Sequence, residues 1–122
     1  MSLRESGQMY LESVLVLSEK GTPVRSLDIA NHLGFSKPSV SRAVGKLKTD
    51  NYINIDQQGY ITLTKKGENL ARRIYEKRVV LKDLILSLGI DEETASSDAC
   101  KIEHVLSDKT FEALKRLKEQ KS

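Results

Sequence analysis

Residues 26–64 read SLDIANHLGFSKPSVSRAVGKLKTDNYINIDQQGYITLT, and the order of signals in this stretch decides the fold class. Ser26 is a good helix cap, Leu27, Ile29, Ala30 and Leu33 supply an apolar stripe behind it, and Gly34 is a stop. Ser36 then offers a second N-cap and Pro38 suits a first helical turn. Val40, Val44 and Leu47 form the inner stripe of a helix reaching the neighbourhood of Asp50. A helix, a turn containing glycine and a second helix make a helix-turn-helix. Residues 52–56 and 60–64 are short β-rich runs on either side of Gln57, Gln58 and Gly59, so they predict a hairpin. A hairpin directly behind the second helix is a wing, and the stretch as a whole predicts a winged helix-turn-helix.

The second of these helices turns Ser36, Lys37, Ser39, Ser41, Arg42, Lys46 and Lys48 outward, with Pro38 among them and no bulky apolar residue. Short hydroxyls and lysines hold phosphates, a helix N-terminus adds a positive field, and Arg42 has the planar fork to read a guanine edge through two hydrogen bonds. Charge alone would describe a solvated basic face equally well. The preceding helix and turn favour double-stranded DNA as the partner. The net charge of +3 is unevenly placed: residues 1–75 hold eleven Lys/Arg against seven Asp/Glu, and residues 76–122 hold nine against ten. The basic excess therefore falls on the winged module, and the remainder has another task.

That remainder, like the N-terminus, reads as helical. Met9, Leu11, Val14, Leu15 and Leu17 predict a first helix from about Arg4 to Lys20, halted by Gly21 and Pro23. Met9 and Glu12 are three apart on it and share a face, presenting a thioether beside a carboxylate; Met9 taken by itself reads as a gap-filling core residue. Thr64 caps a long helix from about Lys65 to Leu88, with Leu70, Ile74, Leu81, Leu84, Ile85 and Leu88 on its apolar side and Gly89 at its end. Asp91 opens the next helix, and Ser107 or Asp108 caps a last amphipathic one carrying Phe111, Leu114 and Leu117. These C-terminal helices hold more apolar surface than they can bury alone, so a homodimer is expected. The fold class is mainly α, with a winged helix-turn-helix over residues 1–73 followed by a helical dimerisation domain over residues 74–122.

With 39% hydrophobic and 30% charged residues, the 122-residue chain has the make-up of a soluble globular protein and no apolar run long enough to span a bilayer. No membrane partner is expected. No signal peptide is visible and a single cysteine cannot form an intrachain disulfide, so Cys100 is expected as a reduced thiol in a cytoplasmic protein. A Gly-rich phosphate loop and a nucleophile elbow are both absent, and His32 and His104 are the only histidines. Neither a small-molecule substrate nor catalysis by a Cys100 and His104 pair is expected.

Residues 98–104 read DACKIEH. In a helix, Cys100, Glu103 and His104 stand at i, i+3 and i+4 and project their donor atoms to one side, within reach of a single cation. Thiolate, imidazole and carboxylate together suit a first-row transition metal, whereas magnesium and calcium prefer oxygen alone. The plainer alternative is a small buried cysteine beside a solvated Glu-His pair.

Three stretches carry a resemblance to the diphtheria toxin repressor family, also called the manganese transport regulator family, of metal-dependent repressors. They are residues 8–12 (QMYLE), residues 36–41 (SKPSVS) and residues 97–108 (SDACKIEHVLSD). The resemblance covers essentially the whole chain and implies a winged helix domain followed by a helical dimerisation domain. It further implies a metal site in which Met9 joins Cys100, Glu103 and His104, with Glu12 where manganese-type members place another carboxylate. A metal switch follows from it: the bound ion fixes the two DNA-reading helices of the dimer at the spacing of two operator half-sites. The chain departs from the family near Arg78 or Val79, where a histidine is usual, near Lys82 or Asp83, where a carboxylate is usual, and at Ser96, where iron-type members have a histidine. A second metal site of the family's kind is therefore not expected, and the third, barrel-like domain of many members exceeds the length available. Sulfur donors at Met9 and Cys100 order the candidate cofactors as Fe(II), then Mn(II). A winged-helix DNA-binding regulator that has lost metal control is the alternative function.

Overall fold

The computed structural model describes residues 5–121. Helix α1 spans Glu5–Ser18; the helix start expected at Arg4 lies outside the described residues. Helix α2 spans Ser26–Leu33, and its cap is Arg25 rather than Ser26. The Arg25 amide donates to Asp28 Oδ2 at 2.8 Å, so the carboxylate three residues on does the capping from inside the helix. Gly34 ends α2 at φ 74, where its amide donates to Ala30 O at 2.8 Å. Helix α3, Lys37–Thr49, starts as its sequence predicts: Ser36 Oγ accepts from the Ser39 amide at 3.3 Å and Pro38 lies in the first turn. Strands β1, Ile53–Ile55, and β2, Ile61–Leu63, pair antiparallel with Ile53 opposite Leu63 and Ile55 opposite Ile61. Asp56 Oδ1 closes the turn by accepting from the Gln58 and Tyr60 amides, both at 2.9 Å.

The wing is anchored by a partner that local patterning does not reveal. The Ile61 amide donates to Val24 O at 2.7 Å, and the Arg25 guanidinium lies 4.4 Å from the Tyr60 ring centroid. Val24, just before α2, thus adds an isolated antiparallel bridge to β2 beside the two-stranded sheet. Leu11, Val14, Ile29, Val40, Val44, Leu47, Ile53 and Ile61 fill the interior beneath these elements. Leu27, placed in the α2 stripe by sequence, is 48% exposed. At about 100° per residue Ile29, Ala30 and Leu33 cluster on one side of the helix, and Leu27 points well away from them.

Helix α4 spans Lys65–Ser87. Thr64 Oγ1 accepts from the Gly67 amide at 3.0 Å and donates to Asn51 O at 2.7 Å, which joins the helix start to the loop before β1. The chain divides within α4 into two compact units, Met1–Arg72 and Arg73–Ser122. The second contains the rest of α4, helix α5, Glu92–Ile102, and helix α6, Asp108–Lys121. Asp91 caps α5 through the Thr94 amide at 2.9 Å, and Ser107, not Asp108, caps α6 through the Thr110 amide at 3.2 Å. Ile74, Val80, Leu81, Ala95, Ala99 and Phe111 are buried in this unit. Leu88 and Leu117, expected on apolar stripes, are 72% and 43% exposed. Leu88 falls just past the end of α4, beside Gly89 at φ 87, where the helical stripe no longer constrains it. Among the described residues, no helix is long and apolar enough to cross a membrane.

Candidate metal centre and nucleic-acid interface

Small residues prepare the position of the metal motif. Ala95 and Ala99 let α5 pack closely, both fully buried, and Cys100 follows on the last turn, partly buried. The helix ends at Ile102, two residues earlier than a single helix bearing all three donors requires. Glu103 nevertheless keeps helical dihedrals, φ −55 and ψ −31, and its amide donates to Ala99 O at 3.0 Å. The side-to-side relation of positions 100, 103 and 104 therefore survives although Glu103 and His104 lie in the following turn. One donor atom from each of Cys100, Glu103 and His104 lies within 4.8 Å of the others. Donors sharing one ion at bond lengths of about 2.0–2.3 Å stand roughly 3–4.5 Å apart, so the trio closes on an ion with movements below an ångström or so. Mixed sulfur, nitrogen and oxygen donors fit a transition metal.

Burial separates this trio from the plainer reading. The side chains of Glu103 and His104 are 0% and 1% exposed, which rules out a solvated Glu-His pair. A carboxylate taken out of water needs compensating charge. Here His104 Nε2 stands 3.3 Å from Glu103 Oε1, and Arg78 Nε of α4 stands 4.0 Å from Oε2 on the other side.

A second group of α4 cations holds the segment that follows Glu103 and His104. Lys77 Nζ donates to Leu106 O at 3.1 Å and pairs with Asp108 Oδ1 at 3.1 Å. Its ammonium, with help from Arg73, holds the Asp108 carboxyl below its ordinary value. Arg73 also pairs with Glu112 at 2.9 Å and lies over the Phe111 ring, 4.7 Å from its centroid. Sequence reasoning did not find Lys77 or Arg73, because the partners that tie them to α6 and the turn before it lie about thirty to forty residues on, and locally Arg73 offers only an ordinary i, i+3 pair with Glu76 at 3.2 Å. Their i, i+4 spacing on a helix facing an acidic N-terminal turn was the available signal.

Met9 and Glu12 lie on α1 in the first unit, Met9 partly buried and Glu12 7% exposed. Met9 O also accepts from Ser13 Oγ at 2.8 Å. His32 is exposed.

On α3, Lys37, Pro38, Ser41, Arg42 and Lys46 are exposed together with Ser36, and Ser39 is partly buried. The helix thereby presents its N-terminus, its cations and its hydroxyls outward while Val40, Val44 and Leu47 face inward. Ser36 Oγ is engaged in capping, accepting from the Ser39 amide and donating to Ser39 Oγ at 2.9 Å. Its first contribution is to fix the helix start.

A winged helix unit followed by a helical unit with a partly buried thiol beside a buried carboxylate and imidazole has the make-up of a metal-responsive regulator of transcription. The family model "Iron dependent repressor, N-terminal DNA binding domain" matches residues 2–61, and "Iron dependent repressor, metal binding and dimerisation domain" matches residues 64–120. An HTH-type transcriptional regulator of Methanocaldococcus jannaschii is 36% identical over 93% of this chain and 92% of its own length. The transcriptional regulator MntR of Escherichia coli O157:H7 is 33% identical over 92% of this chain and 72% of its own. The manganese regulator SloR superposes with a TM-score of 0.81 at 30% identity, covering 96% of this chain and 54% of SloR, so this chain spans about half the SloR chain. The chain belongs to the iron dependent repressor family of metal-dependent transcriptional repressors, which are DNA-binding regulators and not enzymes.

Proposed function

We propose that this protein is a metal-activated repressor that binds operator DNA as a homodimer in the cytoplasm, with Fe(II) as its first-ranked effector and Mn(II) as its second. The observation that carries this reading is the cluster of Cys100 with the buried side chains of Glu103 and His104 in a chain whose first unit is a winged helix. Cys100 supplies a thiolate, His104 a neutral imidazole and Glu103 a carboxylate; Met9 and Glu12 enter the ligand set through the family resemblance. A bound ion supplies positive charge that draws these donors together. Lys77 and Arg73 hold the segment that follows Glu103 and His104. Ser36, Lys37, Pro38, Ser39, Ser41, Arg42 and Lys46 form the DNA face, with residues 1–73 as the DNA-binding domain and residues 74–122 as the metal-binding and dimerisation domain. Exposed Tyr75, Val79, Leu88, Val105 and Leu117 support association through the second of these.

Operator binding measured anaerobically with and without Fe(II) tests the switch. The wild type is expected to bind tightly only with metal, and Cys100→Ala and His104→Ala are expected to remain at the metal-free level. Identical affinities in all these conditions would make the protein a DNA-binding regulator without metal control.

A further inference from the structure

The carboxylate of Glu103 stands between two different neighbours. Oε1 faces His104 Nε2 at 3.3 Å, and Oε2 faces the guanidinium of Arg78 at 4.0 Å. Arg78 is itself held in place: its side chain is 29% exposed, and its guanidinium lies 5.4 Å from the ring centroid of Tyr75, one turn earlier on α4. That distance is within the range over which an aromatic face attracts a cation. The imidazole of the donor trio therefore stands at Oε1, and a positive charge already stands at the other oxygen.

We propose that Arg78 acts as a built-in second cation of this site, confining Glu103 to one-oxygen coordination, limiting the site to a single divalent ion and setting its affinity. The inference rests on the metal-binding reading of Cys100, Glu103 and His104. Its physical basis is simple. A neighbouring carboxylate raises the donor strength of a metal ligand, and a neighbouring guanidinium does the reverse, because it shares the ligand's negative charge and repels the incoming ion. Arg78 is thus a tuning residue rather than a ligand.

Co(II) titration of the intact protein under anaerobic conditions tests this, because the thiolate-to-cobalt absorption band reports coordination by Cys100 directly. The wild type should bind one Co(II) per chain. Arg78→Met and Arg78→Gln should bind Co(II) about tenfold more tightly or better with the same band, and Arg78→Lys should stay near the wild type. Far-UV circular dichroism of the metal-free variants identifies any that fail to fold, and either neutral variant suffices. Unchanged or weaker Co(II) binding in the folded neutral variants, or equal tightening in Arg78→Lys, would overturn the role of Arg78 while leaving the metal site intact. A wild type that takes up Co(II) without the thiolate band would instead overturn the metal site, and this inference with it.

Discussion

Gly67 is where a single hydrogen atom in place of a side chain decides a joint of the fold. A Cβ at this position would run into the carbonyl oxygen and carbon of Tyr52, which are backbone atoms that cannot rotate aside. The same carbonyl accepts from the Thr64 amide at 3.1 Å and from Thr64 Oγ1 at 3.1 Å, so moving it breaks the start of α4. Gly67→Ala is therefore expected to destabilise the protein by roughly 2 kcal/mol or more, although alanine is the better helix former. Urea unfolding of the two proteins measures this, and an alanine variant as stable as the wild type would show that the joint yields. Nothing local betrays this glycine: in sequence it is one weak residue in a helical stretch, and the atom it must avoid is fifteen residues earlier. Cys100, Glu103 and His104 are the opposite case, since their spacing brings them together under any helical geometry. Only the burial of Glu103 and His104, which excludes a solvated pair, had to be read from the fold.

Among the elements, α4, α5 and α6 depend on charged caps and ties that titrate in acid. Asp91 is held below its ordinary value of 3.8 by the hydrogen bonds it accepts from Thr94, and Asp108 is held below 3.8 chiefly by the Lys77 ammonium. A carboxyl whose value is lower in the folded state stabilises that state fully above its unfolded value and loses the contribution as pH falls through the folded one. Unfolding midpoints are therefore expected to hold between pH 7 and 5 and to drop below about pH 4. Asp108→Asn should flatten that drop, as followed by circular dichroism during urea titrations at pH 6, 4 and 3. A variant with the wild-type pH profile would show that the Lys77 to Asp108 tie contributes nothing. The caps themselves were legible, Ser36, Thr64 and Asp91 all standing where the sequence placed them. For α6 the sequence left Ser107 and Asp108 as alternatives and the backbone chose Ser107, whereas for α2 Ser26 was expected and the cap is Arg25, one residue earlier, because Asp28 reaches back to the Arg25 amide.

Over the whole molecule, the uneven distribution of charge makes DNA affinity a salt-dependent quantity. Lys46 and Arg42 are both exposed on α3, and in the proposed function Lys46 neutralises a phosphate while Arg42 reads a base edge, so their replacements should behave differently. Arg42→Ala is expected to cost about 1–3 kcal/mol and relax base preference, whereas Lys46→Ala should weaken all sequences alike and reduce the salt slope by about one. Fluorescence anisotropy with operator and scrambled duplexes at 50–300 mM salt, a range chosen to span roughly a thousandfold change in affinity, separates the two. Equal, sequence-independent losses would remove the base-reading role of Arg42. The winged helix was legible because periodicity, caps and a glycine turn are local properties that neighbouring residues impose on one another. The attachment of the wing to Val24, the fit of Gly67 under Tyr52 and the approach of Arg78 to Glu103 were decided only in three dimensions. Each depends on residues distant in sequence meeting in space, and residue order alone carries no record of which distant partner a side chain will meet.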